Sequence, residues 1–253
     1  MGVTVAAWGA PGSGKTTLSV KLAQAVMEQG RSVLLLLADR LAPPLPCLAE
    51  PRAFTNKRSL GGVLAAPRPN AALLRFHLMD VEDAPGLHIL GFLKGENALA
   101  YPQPDAEQSK SLLEVASSLA DVAIVDCGTA LPWDALSLTA IRQADHALCL
   151  MPPELKTVCY LSSQLPITTE GQKEGQRQWR LLNRINETGV VAEAFAGVDF
   201  ELPYCPELAG QAAQGELLQP LEKKFSRRYL QALNELAEAI LYNKNMRGID
   251  YEA

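Results

Sequence analysis

The chain contains no C-x-x-C pair, and its cysteines, Cys47, Cys127, Cys149, Cys159 and Cys205, are odd in number. That spacing excludes the usual zinc-ribbon and disulfide-framework patterns and predicts reduced, mostly buried thiols in an intracellular protein. The three histidines (His77, His88, His146) are scattered, without metal-ligand spacing. Positive charge is not in excess either. There are 23 Lys and Arg against 28 Asp and Glu, a formal net charge of -5, so the whole-molecule field does not favour a nucleic-acid polyanion. The longest apolar stretch, around "SVLLLLA", is far too short to span a bilayer. No basic segment followed by an apolar one opens the chain, so a signal peptide is not expected. The expected location is therefore cytoplasmic. Internal repeats, low-complexity tracts and composition shifts are also missing. With 253 residues, one large α/β core is expected, spanning 1–243 and followed by a short tail, 244–253.

What is present is an alternation of strands and helices. An apolar strand, Val3 to Trp8, precedes a glycine-rich loop. A helix follows from about Lys15 to Gln29, with Leu18, Leu22, Ala25 and Val26 at helical spacing and Gly30 as its C-terminal cap. "RSVLLLLAD" reads as a buried parallel strand ending in an acid, which completes a βαβ unit. Four prolines between Arg40 and Arg52 mark a loop at a strand end, where ligand-contacting loops of α/β proteins sit. "SLGGVLAA" and "NAALLRFHLM" are ambiguous. Gly86 to Phe92 is a strand. "SLLEVASSLA" is a helix, and "DVAIVDCGT" is a second buried strand ending in an acid. "LPWDALSLTAIRQA" is a helix, "DHALCLMPPE" a strand and turn, "LKTVCYLSSQL" a helix, "TTEGQKEGQRQ" a polar loop and "WRLLNRI" a strand. "DFELPYCPELAGQAAQGELL" reads as a short strand, a proline turn and a helical stretch. Tyr229, Leu233, Leu236 and Ile240 then form the apolar stripe of a closing amphipathic helix. The fold class is α/β: a single doubly wound, mostly parallel sheet flanked by helices.

The loop carries the chemistry. Gly9-Ala10-Pro11-Gly12-Ser13-Gly14-Lys15-Thr16 matches G-x-x-x-x-G-K-[ST], after a strand and before a helix. Glycines allow the backbone to wrap a phosphate, and the loop amides with the helix N-terminus supply positive partial charge. Gly12, Ser13, Gly14, Lys15, Thr16 and Thr17 are the expected nucleotide contacts. Lys15 reaches the β/γ-phosphates and the Thr16 hydroxyl ligates Mg²⁺. Asp126, ending "VAIVD", either holds Mg²⁺ through water beside the phosphates or is an ordinary strand-end acid. Asp39 either meets the γ-phosphate and its attacking water or caps a turn in the proline-rich loop.

"VLLLLAD", "DVAIVDCG", "ADHALCLMPPE", "LLNRI" and "LPYCPELAGQAAQGELL" stand in an order and spacing that resembles ParA/MinD-type P-loop ATPases. The resemblance runs from Val3 to about Leu241. It implies ATP and Mg²⁺ as cofactors, with Lys15 and Asp39 as the catalytic pair. Asp39 would be the switch I aspartate that positions water, and Asp126 the Walker B aspartate. Cys127 and Gly128 would begin switch II, where a backbone amide senses the γ-phosphate. Asn183 would read adenine, its alternative being a strand-end turn residue, and Pro203 with Tyr204 would flank the base. It also implies an ATP-dependent homodimer and a protein partner.

Two positions depart from the family. Ala10 stands where the family places a second, signature lysine, and Leu37 where an acid is common. Loss of a transition-state cation weakens hydrolysis, and atypical loops of this kind resemble the TadZ/CpaE-like pilus-assembly group. The expected function is an ATP-dependent switch with weak ATPase activity, for positioning or partitioning a cellular cargo. Its rivals are a non-hydrolysing nucleotide-binding scaffold and a small-molecule P-loop kinase. "TNKRS" and "EKKFSRR" are short basic clusters, expected to be solvated surface. Arg227 and Arg228 open the last helix but Glu235 and Glu238 follow, so it is expected to pack on the sheet rather than on a membrane.

Overall fold

A computed structural model describes residues 1–54, 58–185 and 197–242. The proposed tail 244–253 and Thr55 to Lys57 of the first basic cluster lie outside the described residues. Eight strands form one sheet: β1 Val3–Gly9, β2 Val33–Leu37, β3 Met79–Asp80, β4 Leu87–Gly91, β5 Val122–Asp126, β6 His146–Met151, β7 Arg177–Ile185 and β8 Phe200–Pro203. Their spatial order is β3-β4-β2-β5-β1-β6-β7-β8. Every pairing is parallel except that of the edge strand β3 with β4.

Alternation along each strand divides the core in two. Val5, Ala7, Leu35 and Leu37 pack on one face, with α1 (Lys15–Glu28) and α8 (Arg227–Tyr242). Ala6, Trp8, Leu34 and Leu36 pack on the other, with α4 (Ala106–Leu119), α5 (Ala135–Gln143) and α6 (Leu155–Thr169). Both faces being covered, β2 is apolar at every residue, β1 at all but Thr4 and β5 at all but its terminal Asp126. Tyr229, Leu233, Leu236 and Ile240 of α8 are buried as their spacing predicts, while Arg227, Arg228, Glu235 and Glu238 are exposed. No helix among the described residues is long and apolar enough to cross a membrane.

Several boundaries differ from the sequence reading. The ambiguous segments become two short helices, α2 (Leu60–Leu64) and α3 (Ala71–His77), followed by β3. "LPWDALSLTAIRQA" is not one helix. Leu131–Trp133 is a 3-10 turn, and α5 starts at Ala135 because the Asp134 side chain caps it. The helix before β5 starts earlier than "SLLEVASSLA", at Ala106, with Asp105 accepting from the Gln108 amide at 2.7 Å. β2 ends at Leu37, so Asp39 sits two residues beyond the strand rather than on it. The last helix before α8, α7 (Pro206–Gln214), ends at Gly215 in the left-handed region.

The topology gathers the loops that matter. Because β1, β2, β5, β6 and β7 run parallel, the turns after them share one edge of the sheet. The chain leaves β1 toward β2 through α1 on one face and leaves β5 toward β6 through α5 on the other. β1 therefore opens at a point where connections diverge, the usual crevice for a ligand in an open α/β sheet.

Candidate functional site

The loop after β1 is shaped by its glycines. Gly12 has φ +74° and Gly14 φ +92°, conformations that cost a side-chain-bearing residue strain. Gly14 has a second constraint, since a Cβ there would stand 2.7 Å from Asn183 Nδ2. Lys15 follows at the first position of α1. Its chain is buried, and Nζ donates to the carbonyls of Gly9 (3.3 Å) and Ala10 (3.2 Å). Burial lowers the Lys15 pKa, opposed by the charges of Asp126 and Asp39. Thr17 is half-buried in the same turn of helix.

Asp126 ends β5, the strand beside β1, with its backbone in register with Ala7. Thr16 Oγ1 donates to Asp126 Oδ2 at 2.6 Å. Asp126 Oδ1 is buried and has no hydrogen-bond partner. Burial pushes the Asp126 pKa up to about 7; the Thr16 bond and Lys15 oppose the shift, and Asp39 adds to it. A second buried oxygen, Ser13 Oγ, also has no partner. Buried polar atoms are normally satisfied, so these two mark where an additional group fits.

The donor set has a definite chemistry. A carboxylate and a hydroxyl are hard oxygen ligands, the kind Mg²⁺ takes. Among the described residues no group of three His, Cys, Asp or Glu could hold a metal alone. Mg²⁺ characteristically takes one or two protein oxygens and completes its shell with water and substrate phosphates, so the arrangement fits a metal–polyphosphate pair.

Asp39 lies near this centre electrostatically, yet its Oδ1 accepts from the amides of Leu41 (2.8 Å) and Ala42 (3.0 Å). It caps the turn that starts the proline-rich loop. Asn183 comes to the loop from β7. Its Nδ2 donates to Ser13 O at 2.7 Å and its Oδ1 accepts from Arg184 N at 3.0 Å. One amide proton and one lone pair remain. Arg184 pays for this arrangement with a left-handed backbone, φ +60°, at an irregularity where β7 pairs with β8. Pro203 ends β8, paired in register with Ile185, and Tyr204 beside it is exposed.

The two departures also have structural settings. Leu37 is fully buried between Gly91 and Asp126 in the sheet, where an acid would be desolvated. Ala10 is buried within the loop. Gly128, in the segment where the resemblance implies switch II begins, donates to Ser137 Oγ at 2.8 Å. Ser137 and Asp134 escaped the sequence reading, although the D-x-x-S spacing in "DALS" is a recognisable helix cap.

No protein-family model and no curated protein matches the chain. Solved structures do. A ParA family ATPase from Chlorobium tepidum TLS superposes with TM-score 0.74 at 18% identity, covering 93% of this chain and 98% of that one. The cell division ATPase MinD of Pyrococcus furiosus gives 0.73 at 19%, covering 96% and 100%. The septum site-determining protein MinD of Pyrococcus horikoshii OT3, solved with Mg-ADP, gives 0.69 at 20%, covering 95% and 96%. The chain has the fold of the MinD- and ParA-type P-loop ATPases.

Proposed function

We propose that this protein binds ATP with Mg²⁺ and works as a switch that positions or partitions a cellular cargo. One observation carries the nucleotide part: Thr16 and Asp126 meet at 2.6 Å under the phosphate loop, with Asp126 Oδ1 buried and unpaired. The P. horikoshii neighbour was solved with Mg-ADP, which supports the same ligand here.

Phosphates would lie against the amides of residues 12–17 and draw Lys15 from the carbonyls of Gly9 and Ala10. Thr16 and Asp126 would hold Mg²⁺, which supplies charge neutralisation between the phosphates. The free edge of Asn183 would meet the base. The turns after Asp39 and Asp126 would order around the terminal phosphate and present a surface to a second copy or a partner.

A second reading, a nucleotide-gated scaffold that does not hydrolyse, is favoured by Ala10 and by the Asp39 carboxylate already engaged with two amides. Phosphate release by the purified protein, against a Lys15→Ala control, separates them. Release above the control supports the ATPase. Saturable ATP binding with release equal to the control supports the scaffold.

A further inference from the structure

Register places three side chains in a row on the face of the sheet that α6 covers. Trp8 of β1 pairs with Cys149 of β6, and Cys149 pairs with Arg180 of β7. Residues level with one another on parallel strands project to the same face. Cys149 is the small member of the row, between an indole and a guanidinium. Between the sheet and α6 lies a cavity of about 300 Å³. Trp8, Cys149 and Met151 are buried and line its inner side, and Val158 and Leu161 of α6 line it from above. Gln178 and Arg180, both exposed, stand at its mouth.

One polar group on the inner side is unanswered. Trp8 is 1% exposed, and its Nε1 has no hydrogen-bond partner among the described residues. An indole nitrogen is a donor only, and when buried it usually finds an acceptor. Cys149 brings no charge, because burial pushes its thiol up to about 12. A water needs several polar partners to remain in a buried site, and Trp8, Cys149 and Met151 supply one strong donor between them. The roof is lightly held. Only Thr157, Leu161 and Thr168 of the fifteen residues of α6 are buried. Pro166 inside the helix leaves the Ser162 carbonyl without its usual helix donor. A small outward shift of α6 therefore brings an acceptor within reach of Nε1.

We propose that this cavity is a binding site for a compact, uncharged, largely apolar molecule carrying one hydrogen-bond acceptor, with the Trp8 indole N–H as its polar anchor. Its volume is at the lower end for small-molecule sites, and an apolar lining with a single placed polar group is their usual make-up. An ionised group would be desolvated against Trp8, Cys149 and Met151 with no countercharge among them. Trp8 packs on the face of the sheet opposite α1, so the inference stands apart from the nucleotide reading.

The test is a titration of the full chain with acetophenone and with ethylbenzene, a probe of similar shape that lacks the oxygen acceptor, followed by proton–nitrogen correlation spectra. Trp8→Phe removes one indole resonance and so assigns it. Acetophenone is expected to shift the Trp8 indole resonance saturably and to leave that of the exposed Trp133 in place. It should bind about 3–10-fold more tightly than ethylbenzene, the difference one net hydrogen bond makes, and Trp8→Phe should erase that difference. Cys149→Leu fills the cavity and should weaken both probes about tenfold. Leu161→Phe, which fills it from α6, carries this arm if Cys149→Leu does not fold. Absence of a saturable shift at the Trp8 resonance overturns the proposal. Equal affinity for the two probes in the wild type overturns the anchoring role of Trp8, and undiminished binding in a folded, filled variant overturns the location.

Discussion

Thr16 Oγ1 and Asp126 Oδ2 lie 2.6 Å apart although 110 residues separate them in the chain. The parallel pairing of β1 with β5 makes that contact, and it fixes one carboxylate oxygen while leaving the other buried without a partner. Under the proposed function a divalent cation would satisfy the second oxygen. Asp126→Asn is therefore expected to keep the fold and lose the Mg²⁺ dependence of nucleotide affinity. Binding titrations with Mg²⁺ and with EDTA check this. Equal Mg²⁺ dependence in the variant and the wild type would remove Asp126 from the metal site.

Asn183 ties β7 to the phosphate loop through Ser13 O. Asn183→Ala leaves that carbonyl without its side-chain donor, at a cost of about 1–3 kcal/mol. Chemical denaturation measures it. The same variant should lose discrimination between ATP and GTP, because the remaining pairing edge of the amide is removed. A stability loss with discrimination intact would assign Asn183 to loop support alone.

Gly12 and Gly14 share a left-handed backbone but not their surroundings. No atom stands within 4 Å of a Cβ at Gly12, whereas one at Gly14 meets Asn183 Nδ2 at 2.7 Å. Gly12→Ala is expected to cost about 1 kcal/mol, the backbone strain only. Gly14→Ala should cost more, and combining it with Asn183→Ala should be less than additive because the clash is with that side chain. Additive losses in the double variant would show that the two side chains are independent.

These contacts show what the sequence made legible. The phosphate loop, the alternation of strands and helices, Asp126 and the α8 stripe are local patterns, set by spacing and apolar periodicity. Asp39 and Asn183 were placed near the right edge, but their partners were not, because hydrogen bonds to Leu41, Ala42 and Ser13 depend on loop geometry. Asp134 shortened an expected helix by capping it at Ala135. Its further contact with Gly128 through Ser137 needs the tertiary fold. Leu37 looked like a family departure in sequence; in the sheet it is a fully buried core position.

His146 supplies a pH test of stability. Its Nδ1 accepts from Trp179 Nε1 at 2.9 Å, so the ring is bound neutral. Burial lowers its pKa to about 4, with Asp145 opposing and Arg177 adding to the shift. The unfolded chain then binds more protons than the folded one between pH ~4 and ~6.5, so this group's contribution to stability rises with pH across that window. The full effect is of order 3 kcal/mol. Asp126, with its raised pKa, slopes the other way between pH ~4 and ~7, so the wild-type curve alone does not isolate His146. The difference between wild type and His146→Phe does: the wild type should lose more stability on acidification. Parallel curves would contradict the assignment.

The central claim is a nucleotide held by the phosphate loop, and isothermal titration of the purified chain with ATP and Mg²⁺ tests it most directly. Saturable one-site binding is expected, weakened about 10–100-fold by Lys15→Ala through loss of a charge-assisted contact worth ~1.5–3 kcal/mol. No heat of binding, or equal affinity in wild type and Lys15→Ala, would contradict it.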